Sequence, residues 1–252
     1  MSEPGKAAAT ATDAGSYPLW FTPPTGDTDR RRTLTRDRVV AEALDAIAEH
    51  GVDALSMRAL ATRLGVVPAA LYRHVHNKEQ LHDLVLDGVL AEVDYQLDHS
   101  LAWTAQIKAL AHRLRAVLET HPGIAGLLKI RDPLGPHSLA LAEAFLAPLH
   151  AAGLSARETG LAFSLIYDYI LGFTLSNPAS VNEQRVRDAA TRIKLHAFLR
   201  SLPADRFPTL IAVGEHVWVD NRDERFTAGL DTLLDGLDAA RRRRRRGQQP
   251  KR

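Results

Sequence analysis

The stretch from Leu55 to Lys78, LSMRALATRLGVVPAALYRHVHNK, constrains the fold of this chain more than any other segment. Ser56 is a residue type that begins helices, because its hydroxyl can accept a hydrogen bond from a backbone N–H in the first turn. Gly65 suits the sharp turn after that helix, and Pro68 suits the first turn of the next one. The stretch therefore predicts two short helices joined by a tight turn.

The second of these helices has two different faces. Leu71 and Val75 make an apolar i, i+4 face that would pack inward. A helix of this size fits the major groove of DNA, where Arg can bind guanine through two hydrogen bonds. The pattern alone also fits an ordinary helical hairpin whose polar side chains are only solvated. The outer face combines small, aromatic and basic side chains, namely Ala69, Ala70, Tyr72, Arg73 and His76.

A third helix is expected to start directly after this pair. Asn77 stands at its N-cap and Gln80 at the capping-box position, so that Lys78 lies at the N-terminus of the helix. The positive charge and the free N–H groups at a helix end both attract anions, so a DNA phosphate is expected to bind there.

The runs LSMRALATRLGV and ALYRHVHNKEQL resemble the DNA-binding domain of the TetR family of transcriptional repressors. The family's motif, L-x-x-R-x-L-A-x-x-L-G-V-x-x-x-x-L-Y-x-H-V-x-x-K-x-x-L, is satisfied at every fixed position, and the resemblance runs from Thr35 to Val93. One departure is Val67 before Pro68, where the family more often has a polar cap. Losing such a cap costs about 1 kcal/mol.

The residue pattern and the resemblance together predict contacts with double-stranded DNA. Three arginines ahead of the first helix could lie in the adjacent minor groove or could equally belong to a solvated tail. The expected DNA contacts are Arg30, Arg31, Arg32, Ser56, Met57, Arg58, Pro68, Ala69, Ala70, Tyr72, Arg73, His74 and Lys78.

Charge is distributed unevenly along the chain, although its net value is only +2. Five arginines and one acidic residue lie between residues 30 and 38, whereas residues 79–98 contain six acidic residues and no Lys or Arg. The positive segment is therefore expected to face DNA. The absence of Cys excludes disulfides and thiolate sites, and the N-terminus lacks an apolar secretion signal, so we expect a cytoplasmic protein.

The remaining pattern predicts an all-α protein with a larger helical domain after the DNA-binding one. The expected divisions are a flexible basic arm at 1–33, a helix-turn-helix domain at 34–80, a ligand-binding and dimerisation domain at 81–240, and a disordered Arg-rich tail at 241–252. Besides the two short helices, helices are expected at about 35–50, 77–98, 103–120, 123–129, 136–151, 155–177, 183–201 and 222–242, and the stretch at 211–219 is ambiguous between helix and loop.

Two predicted helices carry more apolar surface than one packing face needs. Residues 161–175, LAFSLIYDYILGFTL, are apolar nearly all round, which requires burial in the protein or in a subunit interface. The segment is too short, and Asp168 too central, for a membrane span. The runs DYILGFTLSNP and RFTAGLDTLLDGLD resemble the tetracycline-repressor subgroup, which implies a homodimer held by four helices. The expected interface residues are Leu161, Leu165, Tyr169, Phe226, Leu230, Leu233, Leu234 and Leu237.

No sequence motif for catalysis or metal binding is found, so we expect no enzymatic activity, cofactor or metal. Members that bind tetracycline with magnesium use a histidine in the loop after the sixth helix, but the loop Lys129 to Pro133 has none here, and Ser176 replaces a carboxylate. A pocket between helices is still expected, although each of its residues could instead belong to the core. The expected ligand-binding residues are Trp103, Ile107, Arg131, Phe145, Phe163, Tyr167, Asp168 and Phe173.

These features predict a repressor that occupies an inverted-repeat operator as a homodimer and leaves it when a small-molecule inducer binds. A third interpretation is an architectural or membrane-surface protein that uses both Arg runs and binds without regard to sequence. The main alternative is a helical small-molecule-binding or enzymatic protein that does not recognise an operator. An inverted repeat in the DNA upstream of the gene would separate the two.

Overall fold

The computed structural model describes residues 34–121, 123–131, 133–176, 189–219 and 221–247. Within these ranges the chain is helical and contains no strand, which confirms the predicted all-α class. The eleven helices that these residues form are α1 (Arg36–His50), α2 (Met57–Leu64), α3 (Pro68–Leu71), α4 (Lys78–Leu90), α5 (Trp103–Thr120), α6 (Ile124–Ile130), α7 (Pro136–Ala151), α8 (Ala156–Ser176), α9 (Ala189–Arg200), α10 (Pro208–Val219) and α11 (Arg222–Gly247).

Helices α1 to α4 form a small N-terminal unit, and α1 is its first helix. At the start of the helix, the Thr35 hydroxyl accepts a hydrogen bond from the N–H of Arg38 (3.2 Å). The helix ends before Gly51, which has a φ of 81°, a conformation that glycine adopts easily and that is strained for other residues. Its inner face packs against α2 and α4. The buried residues of that face are Val39, Ala43 and Ile47.

Helix α4 ends at Leu90, although the sequence pattern predicted that it continues to about Asp98. Past the helix, the carboxylates of Asp94 and Asp98 accept hydrogen bonds from the backbone N–H groups of Gln96 (3.0 Å) and Ser100 (2.9 Å). Such local bonds stabilise turns in competition with a helix. The predicted extension was therefore wrong.

Helix α8 lies at the centre of the larger helical part, where it packs against α5, α6, α7 and α11. By length and composition it is the one helix of the described ranges that could cross a membrane. Core helices of soluble proteins meet the same criteria, and the inner face of α8 is buried at Ala162, Ile166 and Ile170. We therefore interpret α8 as a core helix.

In the C-terminal segments the structure settles one open point of the sequence prediction and corrects one other. The ambiguous stretch at 211–219 is part of helix α10. Helix α11 continues to Gly247, which corrects the prediction that the chain is disordered from residue 241. The side chain of Asp238 pairs with Arg241 (2.7 Å) and Arg242 (2.5 Å) at i+3 and i+4, and such pairs stabilise a helix. Residues 248–252 of the predicted tail lie outside the described residues.

Candidate functional site

The two short helices of the predicted DNA-binding unit are present with their expected caps. Ser56 Oγ accepts a hydrogen bond from the N–H of Ala59 (3.2 Å) at the start of α2. Gly65 ends this helix in the left-handed conformation, with φ 68°. Val67 precedes α3 and makes no side-chain cap bond, as its apolar side chain requires. The local chemistry of the sequence thus fixes the turn between the helices.

Helix α3 is a single turn, and the chain continues through a turn at residues 72–74. Leu71 and Val75 are fully buried, which holds this segment against the core of the N-terminal unit. The opposite side is open: Tyr72 is 46% exposed, and Arg73 is exposed beside it. This arrangement can present small, aromatic and basic groups to a groove of DNA.

The predicted contact residues are mostly accessible. The exception among the described ones is Met57, whose side chain is buried in the core and cannot make the contact that we expected of it. Arg30, Arg31 and Arg32 lie outside the described residues. The exposed members are Ser56, Arg58, Pro68, Ala69, Tyr72 and Arg73, and the half-buried ones are Ala70, His74 and Lys78.

Arginines near this surface differ in whether a carboxylate neutralises them. Arg63 on α2 pairs with Glu42 (2.8 Å) and Glu49 (2.7 Å) of α1, and these hydrogen bonds raise the pKa of Arg63. By contrast, no carboxylate of the described ranges pairs with Arg58 or Arg73. These cations remain available for an anion from outside the chain.

His74 lies near the positive charges of Arg36 and Arg73. Burial lowers the pKa of His74, and the positive charges of Arg36 and Arg73 lower it further. Its Nδ1 atom is buried and has no hydrogen-bond partner among the described residues. Arg36, the first residue of α1, belongs to the positive segment at 30–38 but was not among the predicted DNA contacts.

The start of α4 is capped in the predicted manner with one difference. Asn77 Oδ1 accepts a hydrogen bond from the N–H of Gln80 (2.8 Å). Gln80 Oε1 accepts one from the N–H of His76 (2.9 Å), one residue earlier than in a standard capping box. Lys78 is therefore the first residue of α4, where the helix dipole and the side chain both favour a bound phosphate.

A cavity of about 440 Å³ lies where the end of α4 meets the loop before α7 and the middle of α8. Phe163 and Tyr167 on α8 stack with ring centres 5.5 Å apart and form an aromatic wall. Asp168 and Ser138 add polar atoms to a lining that is otherwise mostly apolar. A cavity of this size and composition is typical of sites for small organic molecules.

Of the predicted ligand-binding residues, Phe163, Tyr167 and Asp168 line this cavity. Leu90, Pro133, Leu134, Ser138 and Leu139 line the cavity and were missed, although Leu90 continues the i, i+4, i+7 spacing of Asp83 and Asp87 on α4. The other predicted residues, which do not line it, are Trp103, Ile107, Arg131, Phe145 and Phe173.

Each of these five residues has another place in the fold. Ile107 and Phe145 are fully buried in the core, and Phe145 packs behind Phe163 with ring centres 6.1 Å apart. Trp103 is half-buried at the start of α5. Phe173 packs against Phe226 (5.2 Å), towards α11. The fifth, Arg131, forms an ion pair with Asp83.

The predicted interface residues on α11 mostly face inward. Phe226, Leu230 and Leu234 are at most 2% exposed, because they pack against the same chain, where α11 contacts α5 and α8. Tyr169 also faces α11, since its hydroxyl donates to the carbonyl oxygen of Phe226 (3.0 Å). These four residues therefore form the core of the protomer, which corrects their assignment to a subunit interface.

The outer faces of α8 and α11 remain uncovered in the single chain. Leu161 and Leu165 on α8 are 55% and 45% exposed, and Leu233 and Leu237 on α11 are half-buried. Gly172 on α8 has no neighbour within 4 Å of the position that a side chain would take. An apolar surface with such a gap can receive another helix closely.

Each part of the chain matches a known protein family. The profile of bacterial regulatory proteins of the tetR family matches residues 39–85, and that of the tetracyclin repressor-like C-terminal domain matches residues 98–241. The chain belongs to the TetR family of transcriptional regulators. Its N-terminal match spans α1 to α3 and the first part of α4, and its C-terminal match covers more than half of the chain.

Relatives within the TetR family cover most of this chain. An HTH-type transcriptional regulator of Saccharopolyspora erythraea is 32% identical over 81% of this chain and 85% of its own length. The HTH-type transcriptional repressor DrrR1 of Streptomyces coeruleorubidus is 30% identical over 90% and 86%. The crystal structure of ActR from Streptomyces coelicolor without ligand superposes with a TM-score of 0.72 at 34% identity, covering 83% of this chain and 97% of ActR. These relatives are named as regulators or are TetR-family structures, which agrees with a function in transcription.

In this TetR-family chain, the residues expected at a magnesium–tetracycline site are of another kind. The segment after α6 carries Arg131, whose guanidinium pairs with Asp83 (2.8 Å), and Ser176 ends α8 without supplying a carboxylate. No group of three metal-binding side chains occurs in the part of the chain that the structure describes. The donor set for that metal complex therefore does not fit here.

Proposed function

We propose that this TetR-family protein is a repressor that binds an inverted-repeat operator as a homodimer and leaves it when a small molecule occupies the α4–α7–α8 cavity. The observation that carries the proposal is the contrast between Arg63, which two carboxylates neutralise, and Arg58 and Arg73, which none does. Cations that lack an internal partner can replace the counterions of DNA phosphates. The operator-binding surface is therefore the outer side of α2, α3 and the following turn.

Within this surface we assign different roles to different residues. Tyr72 and Lys78 bind backbone phosphates, because Tyr72 is an exposed residue with a hydroxyl group and Lys78 lies at the N-terminus of α4. Arg73 reads base edges, and the small side chains of Ala69 and Ala70 allow α3 to approach the groove closely. Arg30, Arg31 and Arg32 are proposed to add contacts in the minor groove.

The ligand that we propose is a small aromatic molecule. Phe163 and Tyr167 offer a flat apolar wall, and Asp168 and Ser138 offer polar atoms that can orient the ligand. ActR, at 34% identity and a TM-score of 0.70, has been crystallised in complex with actinorhodin, and the match covers 82% of this chain and 98% of ActR. Actinorhodin is therefore the first probe to test. Neither a cofactor nor an enzymatic activity is part of the proposal, and a regulator of this kind works in the cytoplasm.

The homodimer is proposed to form through the outer faces of α8 and α11. Leu161 and Leu165 supply the most exposed apolar side chains of α8, and Leu233 and Leu237 continue the surface on α11. Two copies of this pair of helices would form a four-helix interface around a two-fold axis. Release from the operator follows if the ligand changes the separation of the two α3 helices, which must match half-sites about 34–36 Å apart.

The proposal is tested by titrating the full-length protein onto its operator and then adding actinorhodin. Fluorescence anisotropy of a labelled operator gives the Kd in each condition, and the ratio of the two Kd values measures the coupling between ligand and DNA. We expect the ligand to weaken operator binding by about 5–150-fold. An affinity that is unchanged with actinorhodin bound, as verified by direct titration of the protein, would contradict ligand release.

A further inference from the structure

Helix α4 is held from two sides by contacts one residue apart. On one side, a Cβ atom on Gly88 would lie 2.5 Å from Cγ1 of Val40, so α4 and α1 approach each other too closely for a larger residue. On the other side, Asp87 is 3% exposed and faces the start of α7. The N-terminal unit and the larger helical part are thus both fixed to α4 at the same turn.

The carboxylate of Asp87 caps helix α7 from outside that helix. Asp87 Oδ1 accepts hydrogen bonds from the backbone N–H groups of His137 (3.0 Å) and Ser138 (2.9 Å), the second and third residues of α7. These are the N–H groups that the side chain of an N-cap residue would normally bind. Here the N-cap is Gly135, which has no side chain to offer. A Cβ atom on Gly135 would collide with the carboxyl group of Asp87, so the glycine leaves the space that Asp87 fills.

The capped segment also forms part of the ligand cavity. The Ser138 hydroxyl lies 2.7 Å from the carbonyl oxygen of Pro133 and 2.9 Å from that of Gly135, and it can donate its one proton to either. This contact ties the loop before α7 to the first turn of the helix. Pro133 and Ser138 line the cavity, and so does Leu90, which lies one turn after Asp87 on α4. A molecule in the cavity therefore touches Ser138 in the capped turn of α7, and it touches α4 at Leu90, one turn from Asp87.

A second buried contact lies one turn earlier on α4. Asp83 is 3% exposed and pairs with Arg131 (2.8 Å), at the other end of the loop that leads to α7. Asp83 and Asp87 stand at i and i+4, on one face of α4. The loop between α6 and α7 is thus attached to α4 at both of its ends by carboxylates.

From this geometry we infer that Asp87 is the positioning residue that couples the cavity to the DNA-binding unit: by capping α7 it fixes the angle of α4, and through Gly88 the position of α1. The inference rests on the proposed function, because it explains how a ligand would move the operator-binding surface. A ligand that displaces the loop before α7 moves the N–H groups of His137 and Ser138, and Asp87 must follow or lose its hydrogen bonds. Either response changes the orientation of α4.

The test measures the angle between the two parts of one chain without DNA or ligand. The natural sequence contains no Cys, so Asp53→Cys and Arg157→Cys, both at exposed positions, place one spin label in each part. Doubly labelled chains are diluted with an excess of unlabelled chains, and the distance between labels is measured by pulsed electron paramagnetic resonance. The dilution gives the distance within one protomer for a monomer and for a dimer alike.

Asp87→Ala should broaden the distance distribution and shift its mean, because the cap is lost. Asp87→Asn should keep the narrow wild-type distribution, because its amide oxygen can still accept both hydrogen bonds. Gly135→Ala leaves the sequence of α4 unchanged but displaces the carboxylate of Asp87. It should therefore act like Asp87→Ala, and it serves as the test if Asp87→Ala folds poorly. The two effects should not add in the double variant, because both remove the same contact.

The matched control is Asp98→Ala. Asp98 also accepts a backbone N–H and a serine hydroxyl, both from Ser100 (2.9 Å and 2.6 Å), but within one exposed turn. Its distance distribution should equal that of the wild type. Hydrogen exchange at His137 and Ser138 reports whether the cap itself has been lost.

The inference is overturned if exchange at His137 and Ser138 accelerates in Asp87→Ala and Gly135→Ala while the distance distribution stays as in the wild type. It is also overturned if Asp87→Asn broadens the distribution as much as Asp87→Ala does. Because neither DNA nor ligand enters the measurement, a failure to find an operator or inducer would count against the proposed function and leave this result intact.

Discussion

The guanidinium group of Arg115 lies 4.5 Å from the centre of the Phe226 ring and is almost completely buried. It also pairs with Glu119 (2.5 Å) on its own helix and with Asp223 on α11. Arg115 thus connects α5 to the start of α11 through charge and through an aromatic face. The position of α11, and with it the outer face proposed for dimerisation, depends on this contact.

Arg115→Ala should lower the free energy of unfolding by about 3 kcal/mol, at the low end for breaking a buried ion pair, because Arg222 still pairs with Glu119 (2.6 Å). Denaturant unfolding measures the change. The control is Arg113→Ala, a less buried arginine two residues away on α5 whose side chain is 39% exposed, where we expect a loss of at most about 1 kcal/mol. Equal losses for both variants would mean that the contact with Phe226 contributes little.

Leu165→Glu should dissociate the homodimer and leave the protomer folded, because Leu165 is 45% exposed in the single chain. Leu234→Glu should instead unfold the protomer, since Leu234 is 2% exposed and an unpaired carboxylate there is costly. Sedimentation velocity and thermal melting distinguish the two results. A stable Leu165→Glu dimer with normal operator affinity would place the interface elsewhere.

Arg73→Ala should change which DNA sequence is preferred, whereas Lys78→Ala should weaken binding to all sequences about equally and reduce the salt slope by about 1. The physical reason is that base contacts carry sequence information and phosphate contacts do not. The matched control is Arg63→Gln, which removes an arginine that Glu42 and Glu49 already neutralise, and should leave the salt slope unchanged. Anisotropy titrations between 50 and 200 mM salt, a range of about fourfold, measure all three slopes. An unchanged sequence preference in Arg73→Ala would rule out base reading by this residue.

The stability of the protein should fall as the pH drops below about 6.5, the ordinary pKa of histidine. Burial lowers the pKa of His74, His82 and His112, so the folded chain keeps these rings neutral at a pH where the unfolded chain takes up protons. For His112 the charges of Arg115 and Lys108 lower the pKa further. His112→Gln should therefore reduce the loss of melting temperature between pH 7 and pH 5, two values that bracket the ordinary pKa.

The matched control for the pH experiment is His99→Gln, at an exposed position in the loop before α5. This variant should keep the wild-type pH dependence. The attribution to His112 would be wrong if His112→Gln melted with the same pH dependence as the wild-type protein.

Local features of the fold could be predicted from the sequence because their partners are close in the chain. Ser56, Gly65 and Asn77 set the ends of α2 and the start of α4 through bonds to residues at most four positions away. Helix α5 begins at Trp103 and ends at Thr120, as the spacing of its apolar residues predicted. In each case the interactions that determine the structure join residues within one or two helical turns of each other.

Features that depend on distant partners could not be predicted. An apolar stripe such as Phe226, Leu230 and Leu234 must be covered, but the sequence does not say whether the cover is another helix of the same chain or a second copy. Similarly, Asp87 was only one of six acidic residues at 79–98, and its role could not be predicted because its hydrogen-bond partners lie 50 and 51 positions later. The cavity was only partly predicted for the same reason, since Leu90 and Ser138 meet only when α4 and α7 pack together.

The central claim is that the exposed surface of α2 and α3 reads a specific inverted repeat. Selection of bound duplexes from a random DNA library, with the full-length protein, tests it most directly. The account predicts enrichment of one inverted repeat whose half-site centres lie about 34–36 Å apart or a multiple of that distance, and loss of a base preference in each half-site with Arg73→Ala. Recovery of DNA without a common sequence, at an affinity that depends on salt alone, would contradict the account.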